Sequence, residues 1–558
     1  AVLAPAPADP TDPAAYDQLL ENSMAADCTG IVQLWGLDAR WGDVDGLDRA
    51  QDGGCRAAVL LVQALLRRGG TTPRLWFVSR GAQAVRAGEC PDPAQAPLWG
   101  VGRVIANEYQ AVWGGLIDLA PDADAAEAAA QLAGALADPA SADQIAFRDT
   151  RRYTARLARA EWSQATQPLA FRADSSYLLT GGLGGLGLAV ARWMVERGAR
   201  RLVLAGRSAL PPRAEWSDIG PDDPRHGRIA AVRGLEALGA SVHLAAVDIA
   251  DEAELAAFLD GYRREGWPPI RGVIHAAGVT RDRLLMQQDR ATFDAALRPK
   301  LRGAWLLHQA FADTPLDFFV LFSSVTSLMG TVGQGNYAAG NAFLDALAAY
   351  RRARGLPATS INWGAWATVG AAARADLLEQ QAAQNGTLPI EPARGLEALG
   401  QILRQQPAQV MVTPIDWARF GRAFGGLPLF SALALSEAQS ASAAVAAGGT
   451  LAQELAAIAD RAERQGRIAD YLRRTVAGAL RLDINLLDPQ QPLNTLGIDS
   501  IIAVELKNAV EGALGATVPI VEWLKGSSIA DLAAFVAQQL AGEPVAAPPE
   551  IQEPLLVS

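Results

Sequence analysis

The amino-acid sequence predicts an α/β protein built on two parallel sheets, followed by a small all-α segment. Strand-like runs alternate with helical runs from about residue 29 to 165, and the pattern restarts more strongly at Ser176. Strands that alternate with helices of about 10–15 residues are typical of a parallel sheet with helices on its faces. Residues 466–541 lack this alternation and are predicted to be helical.

Composition narrows the function classes. A chain of 558 residues is too long for one core, and a rule of about 100–200 residues per domain gives roughly three or four domains. The net charge of −11 argues against a nucleic-acid partner, because phosphate neutralisation needs clustered Lys and Arg. Three cysteines, and four histidines without metal-ligand spacing, indicate neither a disulfide framework nor a metal site.

The hydropathy pattern and the first residues predict a cytoplasmic chain. No run reaches about 18 consecutive apolar residues, so we expect no membrane span. The opening AVLAPAPADPTDPAAYD lacks the basic and apolar regions of a signal peptide. It also lacks an initiator Met, which indicates an excised fragment or a processed chain.

The first sheet is predicted over residues 29–167, after a Pro/Ala-rich linker over 1–28. Its strand-like runs include GIVQLWGL and TPRLWFVSRG, with the helical AAVLLVQALLRR between them, and the alternation continues to DQIAFRDTRRYTARL. No glycine fingerprint follows its first strand. This half is therefore predicted to have the architecture of a nucleotide-binding domain without its chemistry.

The second sheet is predicted over residues 168–425. SYLLT, RLVLAGRS, HLAAVDI, GVIHAAG, FFVLFSS and ATSINWG are near-continuous apolar runs at βαβ intervals, as in a doubly wound sheet with both faces buried. Residues 426–465 drift into Ala, Ser and Gly and are predicted to be a flexible linker. Beyond the helical segment, residues 542–558 are predicted to be a disordered tail.

A glycine-rich loop follows the first strand of the second sheet and opens a helix. Its backbone can turn tightly and approach a pyrophosphate, and the helix N-terminus supplies N–H donors and the positive end of a dipole. This setting predicts a dinucleotide site, with a glycine-rich turn without ligand as the alternative. The predicted cofactor-binding residues here are Thr180, Gly181, Gly182, Leu183, Gly184, Gly185, Leu186 and Gly187.

The end of the second strand selects between dinucleotides. A NAD site would place an acidic residue there for the ribose 2′-hydroxyl. This sequence has Arg207 followed by Ser208, and the forked cation of Arg207 suits a 2′-phosphate. NADPH is therefore favoured over NADH, with a solvated surface arginine as the alternative interpretation.

Four polar residues that follow the glycine loop in the sequence have side chains suited to the reduction of a carbonyl group. Tyr337 follows Ser324 by 13 residues, Asn341 lies one helical turn beyond Tyr337, and Lys300 precedes Ser324 by 24 residues. A tyrosine near an ammonium group can protonate a carbonyl oxygen, because the cation eases loss of the phenolic proton. A serine hydroxyl can hold and polarise that carbonyl. Taken singly, each residue has a more ordinary interpretation, with Lys300 as a surface lysine, Tyr337 as a core residue and Asn341 as a polar residue of a helix. Taken together, they predict a reductase site.

With these residues in place, the stretch 175–424 resembles the ketoreductase of modular polyketide synthases, in the short-chain dehydrogenase/reductase superfamily. The ordinary superfamily pattern is Tyr-x-x-x-Lys, whereas this sequence has Tyr337-Ala-Ala-Gly-Asn341 with the lysine supplied by Lys300. That exchange marks the polyketide and fatty-acid synthase branch. HAAGV (275–279) and NWGAW (362–366) also match. WGVGRVIANEYQAVWGGLIDL (99–119) resembles the signature of the family's preceding half, so the resemblance covers about 29–424.

The resemblance implies two Rossmann-like doubly wound parallel-sheet subdomains, the first degenerate and structural. It also implies that Tyr337 is the proton donor, that Ser324 polarises the ketone, and that Lys300 and Asn341 orient Tyr337 and the proton relay. The further cofactor-binding residues are expected to be Asp248, Ile249, Ala276, Ala277 and Gly278.

The helical segment resembles an acyl carrier protein, which is a four-helix bundle. LGIDSIIAVEL (496–506) places Ser500 at the head of an amphipathic helix. A serine there is usually only a helix cap, but a capping box would want Glu or Gln at the position of Ala503. The resemblance implies that Ser500 carries 4′-phosphopantetheine, although Ile501 replaces the Leu of the usual Gly-x-Asp-Ser-Leu motif.

In this family, the side from which the pantetheine arm enters sets the stereochemistry. A Leu-Asp-Asp motif after HAAGV accompanies B-type reduction, and a Trp eight residues before the tyrosine accompanies A-type reduction. Here Thr280-Arg281-Asp282 keeps only the last Asp, and Met329 occupies the Trp position. The resemblance therefore favours B-type reduction to a D-configured hydroxyl, with Asp282 as a solvated loop acid being the alternative.

Together, these features predict NADPH-dependent reduction of a carrier-tethered β-ketoacyl thioester. The expected partners are acyl-thioester polyketide intermediates, ketosynthase and acyltransferase domains, and a phosphopantetheinyl transferase. One alternative is a free-standing NADPH ketone reductase, against which Ser500 argues. The other is a catalytically inactive scaffold beside a carrier. The complete set of four polar residues and the intact glycine loop argue against that scaffold, and against an epimerising reductase that no longer reduces.

Overall fold

The computed structural model divides the chain into two compact units, residues 1–436 and 437–558. Among the described residues, the first unit contains two sheets and the second contains helices. The boundary falls within the segment 426–465, which was predicted to be a linker. The structure describes residues 7, 9–23, 28–38, 41–69, 72–137, 143–149, 151–160, 169–368, 386–417, 419–420, 428–430, 433, 455, 458, 460–480, 484, 487–496, 500–514, 516, 518–519, 522–523 and 527–540.

The first sheet has five strands in the order β1-β2-β3-β4-β5. All neighbours are parallel except β4 and β5, which form an antiparallel pair. The alternation of strands and helices predicted only parallel pairing, but a tight turn through Asp149, at φ 51°, leaves no room for the crossover that a parallel pair needs. The strands are β1 (Gly30–Gln33), β2 (Arg74–Arg80), β3 (Trp113–Leu119), β4 (Gln144–Arg148) and β5 (Arg151–Thr154).

The second sheet has seven parallel strands in the order β12-β11-β10-β9-β6-β7-β8. Its first strand in the chain, β6, lies between β7 and β9, so the winding direction reverses at that point. Ligands of such doubly wound sheets bind outside the carboxyl ends of the strands at this switch point. The predicted Rossmann-like fold is confirmed. The strands are β6 (Ser176–Thr180), β7 (Arg201–Gly206), β8 (Ser241–Ala246), β9 (Ile270–His275), β10 (Phe318–Ser324), β11 (Thr359–Trp363) and β12 (Gln409–Val412).

Helices pack on the two sheets and on one another. A π-helical turn, Pro299–Gly303, joins α9 to α10. The helices of the first unit are α1 (Pro13–Ser23), α2 (Val44–Gly53), α3 (Cys55–Arg68), α4 (Ala96–Glu108), α5 (Ala125–Ala137), α6 (Gly185–Glu196), α7 (His226–Ala237), α8 (Glu252–Arg264), α9 (Arg290–Arg298), α10 (Ala304–Ala310), α11 (Thr326–Met329), α12 (Gly335–Ala353) and α13 (Pro392–Gln405).

Helices α4 and α12 join the two sheet-forming halves. Gly100 of α4 faces α12 so closely that a Cβ there would overlap the carbonyl oxygen of Ala338. Only glycine permits this approach of two helix backbones. The half without a glycine fingerprint therefore packs directly against the helix that carries Tyr337.

Within the linker that was expected over 1–28, the structure corrects residues 13–23 to a helix. Residues 13–23 form α1, in which Tyr16 and Leu20 are buried in the same apolar core as α3. The Tyr16 ring lies 5.9 Å from the ring of Trp35, edge to face. The Pro/Ala composition concealed a helix start, because Pro13 follows Asp12 at the first helical position, where proline is tolerated.

The second unit contains helices α14 (Arg461–Leu480), α15 (Ser500–Leu514) and α16 (Ile529–Leu540). Leu506 and Val510 of α15 are buried in its core, and Ile502 packs against it. Its other large buried side chains include Ile468, Leu472, Trp523, Leu532 and Val536.

The predicted tail over 542–558 lies outside the described residues, and so does most of the predicted linker over 426–465. At the end of that linker the expectation is corrected, because Arg461 begins α14 and Leu455 is buried in the core of the second unit. Leu429 and Phe430 are described, and both are buried. For residues 428–430 the expected linker is therefore corrected to packed structure, because these apolar side chains complete a cluster with Phe420.

Candidate active site

The glycine loop connects β6 to α6 at the switch point of the second sheet. Gly181 has φ 68°, and a Cβ on it would lie 3.0 Å from the carbonyl group of Ala276. A Cβ on Gly187 would overlap the Gly181 carbonyl oxygen. The loop is thus packed backbone to backbone against the end of β9. This is a cradle that a pyrophosphate can approach closely, so the residues present fit a dinucleotide.

Thr180 and His275 tie the ends of β6 and β9 together. The Thr180 hydroxyl lies 2.8 Å from His275 Nδ1 and accepts the backbone N–H of Ala277 at 3.3 Å. Burial, together with the positive charge of Lys300, lowers the pKa of His275 to about 3. The imidazole is therefore neutral, and the Thr180 hydroxyl that it contacts holds Ala277 beside the glycine loop.

The other predicted cofactor residues lie beyond the carboxyl ends of β7 and β8. Arg207 and Ser208 are exposed directly after β7. Asp248 accepts the backbone N–H of Ala250 at 3.0 Å and faces Arg298 at 3.4 Å. Ile249 is buried and contacts the Gly303 position, so its side chain faces the core rather than the glycine loop.

Lys300 enters the site from the π-helical turn, and such turns are frequent at functional sites. Its side chain is only 2 % exposed, and its Nζ donates to the Phe322 carbonyl oxygen at 3.0 Å. Gly278 and Gly340 make room for it, since a Cβ on either would lie 3.1–3.2 Å from the lysine side chain. Burial lowers the pKa of Lys300 to about 7, while the negative charge of Asp345 opposes that shift.

Tyr337 and Asn341 lie on the first turns of α12. The Lys300 Nζ is 5.2 Å from the centroid of the Tyr337 ring. Burial and the charge of Asp282 raise the pKa of Tyr337, so its phenol is protonated at neutral pH. Asn341 donates to the Tyr337 carbonyl oxygen at 2.8 Å, and its own Oδ1 is buried without a hydrogen-bond partner among the described residues. That unused acceptor can receive a proton donor in a relay.

Ser324 ends β10 and is 9 % exposed. Its carbonyl oxygen accepts the Ser327 hydroxyl at 2.9 Å and the Asn362 side-chain amide at 3.3 Å. The neighbouring Ser323 hydroxyl donates to the Asn341 carbonyl oxygen at 3.2 Å. The structure therefore brings all four predicted residues to the carboxyl end of β10 and the start of α12.

Asp345 is a site residue that the sequence analysis missed. It accepts hydrogen bonds from the side chains of Ser327 at 2.7 Å and Asn362 at 2.9 Å, and from the Ser360 hydroxyl. Burial raises its pKa. A signal was present, because Asp345 stands one turn beyond Asn341 on the same face of a helix that is otherwise rich in apolar residues.

The two predicted stereocontrol positions differ in their surroundings. Asp282 accepts from the Gln334 side chain at 2.9 Å. It lines a cavity of about 480 Å³ with Thr280, Arg281, Arg283, Ala291, Thr292 and Ala295. Met329 is 8 % exposed, belongs to an apolar cluster with Phe420, Leu429 and Phe430, and is not among the residues that line that cavity.

Neither a metal-binding cluster nor a membrane-spanning helix is found in the described part of the chain. No group of three His, Cys, Asp or Glu side chains among the described residues could hold a metal ion. No described helix is long and apolar enough to cross a membrane.

The chain matches three protein families. They are the KR domain over residues 175–368, the phosphopantetheine attachment site over 470–536, and the Rossmann fold domain of the polyketide synthase extender module SpnB over 2–157. A solved A1-type ketoreductase is 37 % identical, with a TM-score of 0.66, and the match covers 76 % of this chain and 87 % of that one. The chain belongs to the ketoreductases of modular polyketide synthases.

Other relatives of this ketoreductase agree. The first ketoreductase of the tylosin polyketide synthase is 35 % identical, with a TM-score of 0.65, over 78 % of this chain and 89 % of that one. A phenolphthiocerol/phthiocerol polyketide synthase of Mycobacterium tuberculosis is 34 % identical over 87 % of this chain. The 5-methyl-1-naphthoate synthase of Streptomyces sahachiroi is 36 % identical over 87 % of it. This chain spans 25 % and 27 % of those two curated relatives. The family match over 470–536 supports a carrier domain with a phosphopantetheine site.

Proposed function

We propose that this ketoreductase uses NADPH to reduce a carrier-tethered β-ketoacyl thioester to the β-hydroxyacyl thioester. The observation that carries the proposal is the buried Lys300 ammonium 5.2 Å from the Tyr337 ring. A phenol that is protonated at neutral pH, next to a cation that can stabilise its anion, is a suitable general acid for a ketone oxygen.

In the proposed reaction the ketone oxygen lies between the hydroxyls of Ser324 and Tyr337. Ser324 polarises the carbonyl by donating a hydrogen bond, and Tyr337 transfers its phenolic proton to the oxygen. NADPH, when bound, supplies the hydride that the carbonyl carbon gains. The Lys300 ammonium stabilises the tyrosinate, and Lys300 and Asn341 return a proton to it from solvent. The ketone thus gains one hydride and one proton, which balances the reduction.

The preference for NADPH rests on Arg207. Its guanidinium is exposed where β7 ends, on the side of the sheet where a dinucleotide ribose would lie. A forked cation there can bind a 2′-phosphate through two hydrogen bonds. The glycine-rich loop 181–187 would hold the pyrophosphate, together with the segment Ala276–Gly278.

The carrier half of the proposal places 4′-phosphopantetheine on Ser500, the first residue of α15. A flexible arm lets one thioester visit several active sites, and tethering raises its effective concentration to about the millimolar range. A phosphopantetheinyl transferase would attach the arm. Ketosynthase and acyltransferase domains would supply the acyl chain.

The proposed stereochemistry is B-type, giving a D-configured hydroxyl. Asp282 lines the cavity beside the active site, and Met329 stands where the resemblance places the A-type Trp. Reduction of a simple β-ketoacyl substrate followed by chiral chromatography tests this point. A predominantly L-configured product would reject it.

The experiment for the reaction itself compares Tyr337→Phe with the wild-type chain. NADPH oxidation is followed with a β-ketoacyl-pantetheine substrate. We expect Tyr337→Phe to bind NADPH with unchanged affinity and to lose nearly all turnover, because the ring remains and the proton donor is removed. Tyr350→Phe, on the same helix but packed against Trp305 and His308, is the matched control and should keep wild-type turnover. A wild-type chain that binds no NADPH would instead favour the inactive scaffold.

A further inference from the structure

Glu108 is a buried carboxylate with an unusual pair of partners. It ends α4 in the half that contains the first sheet, and it is 1 % exposed. One carboxylate oxygen accepts the backbone N–H of Leu285 at 2.8 Å, and the other accepts the backbone N–H of Gly333 at 2.8 Å. Both amides belong to the catalytic half. A single side chain thus joins two separate segments of the neighbouring subdomain.

Those two segments border the cavity beside the active site. Leu285 follows the cavity-lining residues 280–283, and Gly333 lies four residues before Tyr337. The segments are also bonded to each other, since the Arg283 N–H donates to the Gly333 carbonyl oxygen at 2.8 Å and Gln334 donates to Asp282. Gly333 has φ 80°, a conformation that favours glycine. Glu108 therefore bonds to both segments at the point where they meet.

The chemistry of the side chain suits this position. A carboxylate can accept a hydrogen bond on each of its two oxygens, whereas a glutamine amide can accept on only one and would turn an N–H toward the second donor. Burial of a carboxylate is costly, and it raises the pKa of Glu108 to about 7 although both backbone N–H groups oppose the shift. The two hydrogen bonds offset part of this cost.

Asn107, which precedes Glu108, also bonds the segment that contains Gly333. Asn107 donates its side-chain amide to the carbonyl oxygen of Met329 at 2.8 Å, and also to that of Gly330. These carbonyls begin the segment 329–333 that ends at the Glu108 contact. The last turn of α4 therefore binds the whole segment that precedes the N-terminus of α12.

We propose that the cavity lined by Asp282 receives the acyl chain and that Glu108 is a positioning residue that sets its geometry, so that the half with the first sheet controls how the ketone of the β-ketoacyl substrate meets Tyr337. The inference rests on the proposed function, because it names a residue that positions the substrate of that reduction. Glu108 touches no reacting atom. Its loss should change substrate binding and product configuration while leaving the nucleotide site intact.

The test uses the full chain with Glu108→Gln. We expect KM for a β-ketoacyl-pantetheine substrate to rise at least tenfold and the fraction of the minor hydroxyl isomer to increase, with NADPH affinity within twofold of wild type. Amide hydrogen exchange should become faster at Leu285 and Gly333. Ile117→Ala is the control, because it makes a cavity in the core of the first sheet away from these segments. It should lower Tm without changing KM or the isomer ratio.

Two results would overturn the inference. One is an unchanged KM and isomer ratio in folded Glu108→Gln, and the other is an equal change in Ile117→Ala. If Glu108→Gln does not fold, Asn107→Ala takes its place, with the same expected rise in KM and the same contradicting outcomes. If the wild-type chain reduces no β-ketoacyl substrate, the proposed function fails. Hydrogen exchange then decides the positioning role of Glu108 alone: faster exchange at both amides supports it, and unchanged exchange rejects it.

Discussion

The ammonium of Lys300 lies 5.2 Å from the ring centroid of Tyr337 while it donates to the Phe322 carbonyl oxygen at 3.0 Å. These two contacts place a buried cation next to the proposed proton donor and bond it to β10, the strand that ends in Ser324. Because burial lowers the pKa of Lys300 to about 7, this cation can also exchange its proton near neutral pH. The pair therefore combines charge stabilisation with a route for the proton.

Lys300→Met should abolish reduction without destabilising the fold. The folded-state pKa of about 7 lies below the ordinary value of 10.5, so the native state binds fewer protons than the unfolded state between these values. The stability contribution of Lys300 therefore improves as pH rises from about 7 to 10.5. We expect Lys300→Met to be at least as stable as wild type at pH 7, with any gain shrinking toward pH 10.5. Urea unfolding across that range measures it.

The contradicting outcome for Lys300 is a variant that is clearly less stable at pH 7 and gains stability relative to wild type as pH rises. That result would mean that the ammonium is stabilised by its surroundings. Retention of wild-type turnover by Lys300→Met would exclude the lysine from the reaction.

Arg207→Ala should weaken NADPH much more than NADH. A hydrogen bond between charged groups contributes about 1.5–3 kcal/mol, so the loss should be about 10- to 100-fold in affinity for NADPH and small for NADH. Fluorescence titration with both nucleotides measures it. Arg192→Ala, which removes an exposed arginine paired with Glu196 on α6, should change neither affinity. Equal losses for both nucleotides in Arg207→Ala would show that Arg207 does not bind the 2′-phosphate.

Ser500→Ala should prevent attachment of the arm. After coexpression with a phosphopantetheinyl transferase, intact-protein mass spectrometry should show one added arm on the wild-type chain and none on the variant. Ser527→Ala is the matched control, because Ser527 lies in the same unit and bonds Glu522. An arm that persists in Ser500→Ala would place the attachment site elsewhere.

Asp345→Ala should destabilise the protein and slow reduction together. The change leaves the buried donors of Ser327, Ser360 and Asn362 without their common acceptor, and an unsatisfied buried polar group costs about 1–3 kcal/mol. Asn362 and Ser327 also bond the Ser324 carbonyl, so the strand end should lose its fixed position. Thermal unfolding and turnover measure both effects. Wild-type turnover in Asp345→Ala would show that the hydrogen bonds of Asp345 are not needed for reduction.

The sequence predicted those parts of the fold and of the site that a single local pattern of residues determines. Buried strands such as SYLLT, the glycine loop, and the spacing of Tyr337 and Asn341 are local patterns, and they predicted the second sheet and its polar residues. Lys300 was among these polar residues, and the resemblance gave it the place of the usual Tyr-x-x-x-Lys lysine although it lies 37 positions from Tyr337 in the chain. Its low pKa could not be predicted, since burial is a property of the packed fold.

Contacts between segments that are far apart in the chain could not be predicted from the sequence. Nothing local distinguishes Glu108 from an exposed helix-terminal acid, because its two partner amides come from segments more than 170 residues later. Met329 shows the same limit. Its position relative to Tyr337 marks it as the counterpart of the A-type Trp, and only the folded chain shows that its side chain packs in an apolar cluster with Phe420.

The most direct test of the account follows the acyl group on the carrier itself. The full chain is loaded at Ser500 with a β-ketoacyl-phosphopantetheine arm and incubated with NADPH deuterated at the transferable position. Intact-protein mass spectrometry should show the acyl mass increase by one deuterium and one hydrogen in the wild-type chain, and no change in Tyr337→Phe. An unchanged acyl mass in a wild-type chain that binds NADPH, or the same increase in Tyr337→Phe, would contradict the central claim.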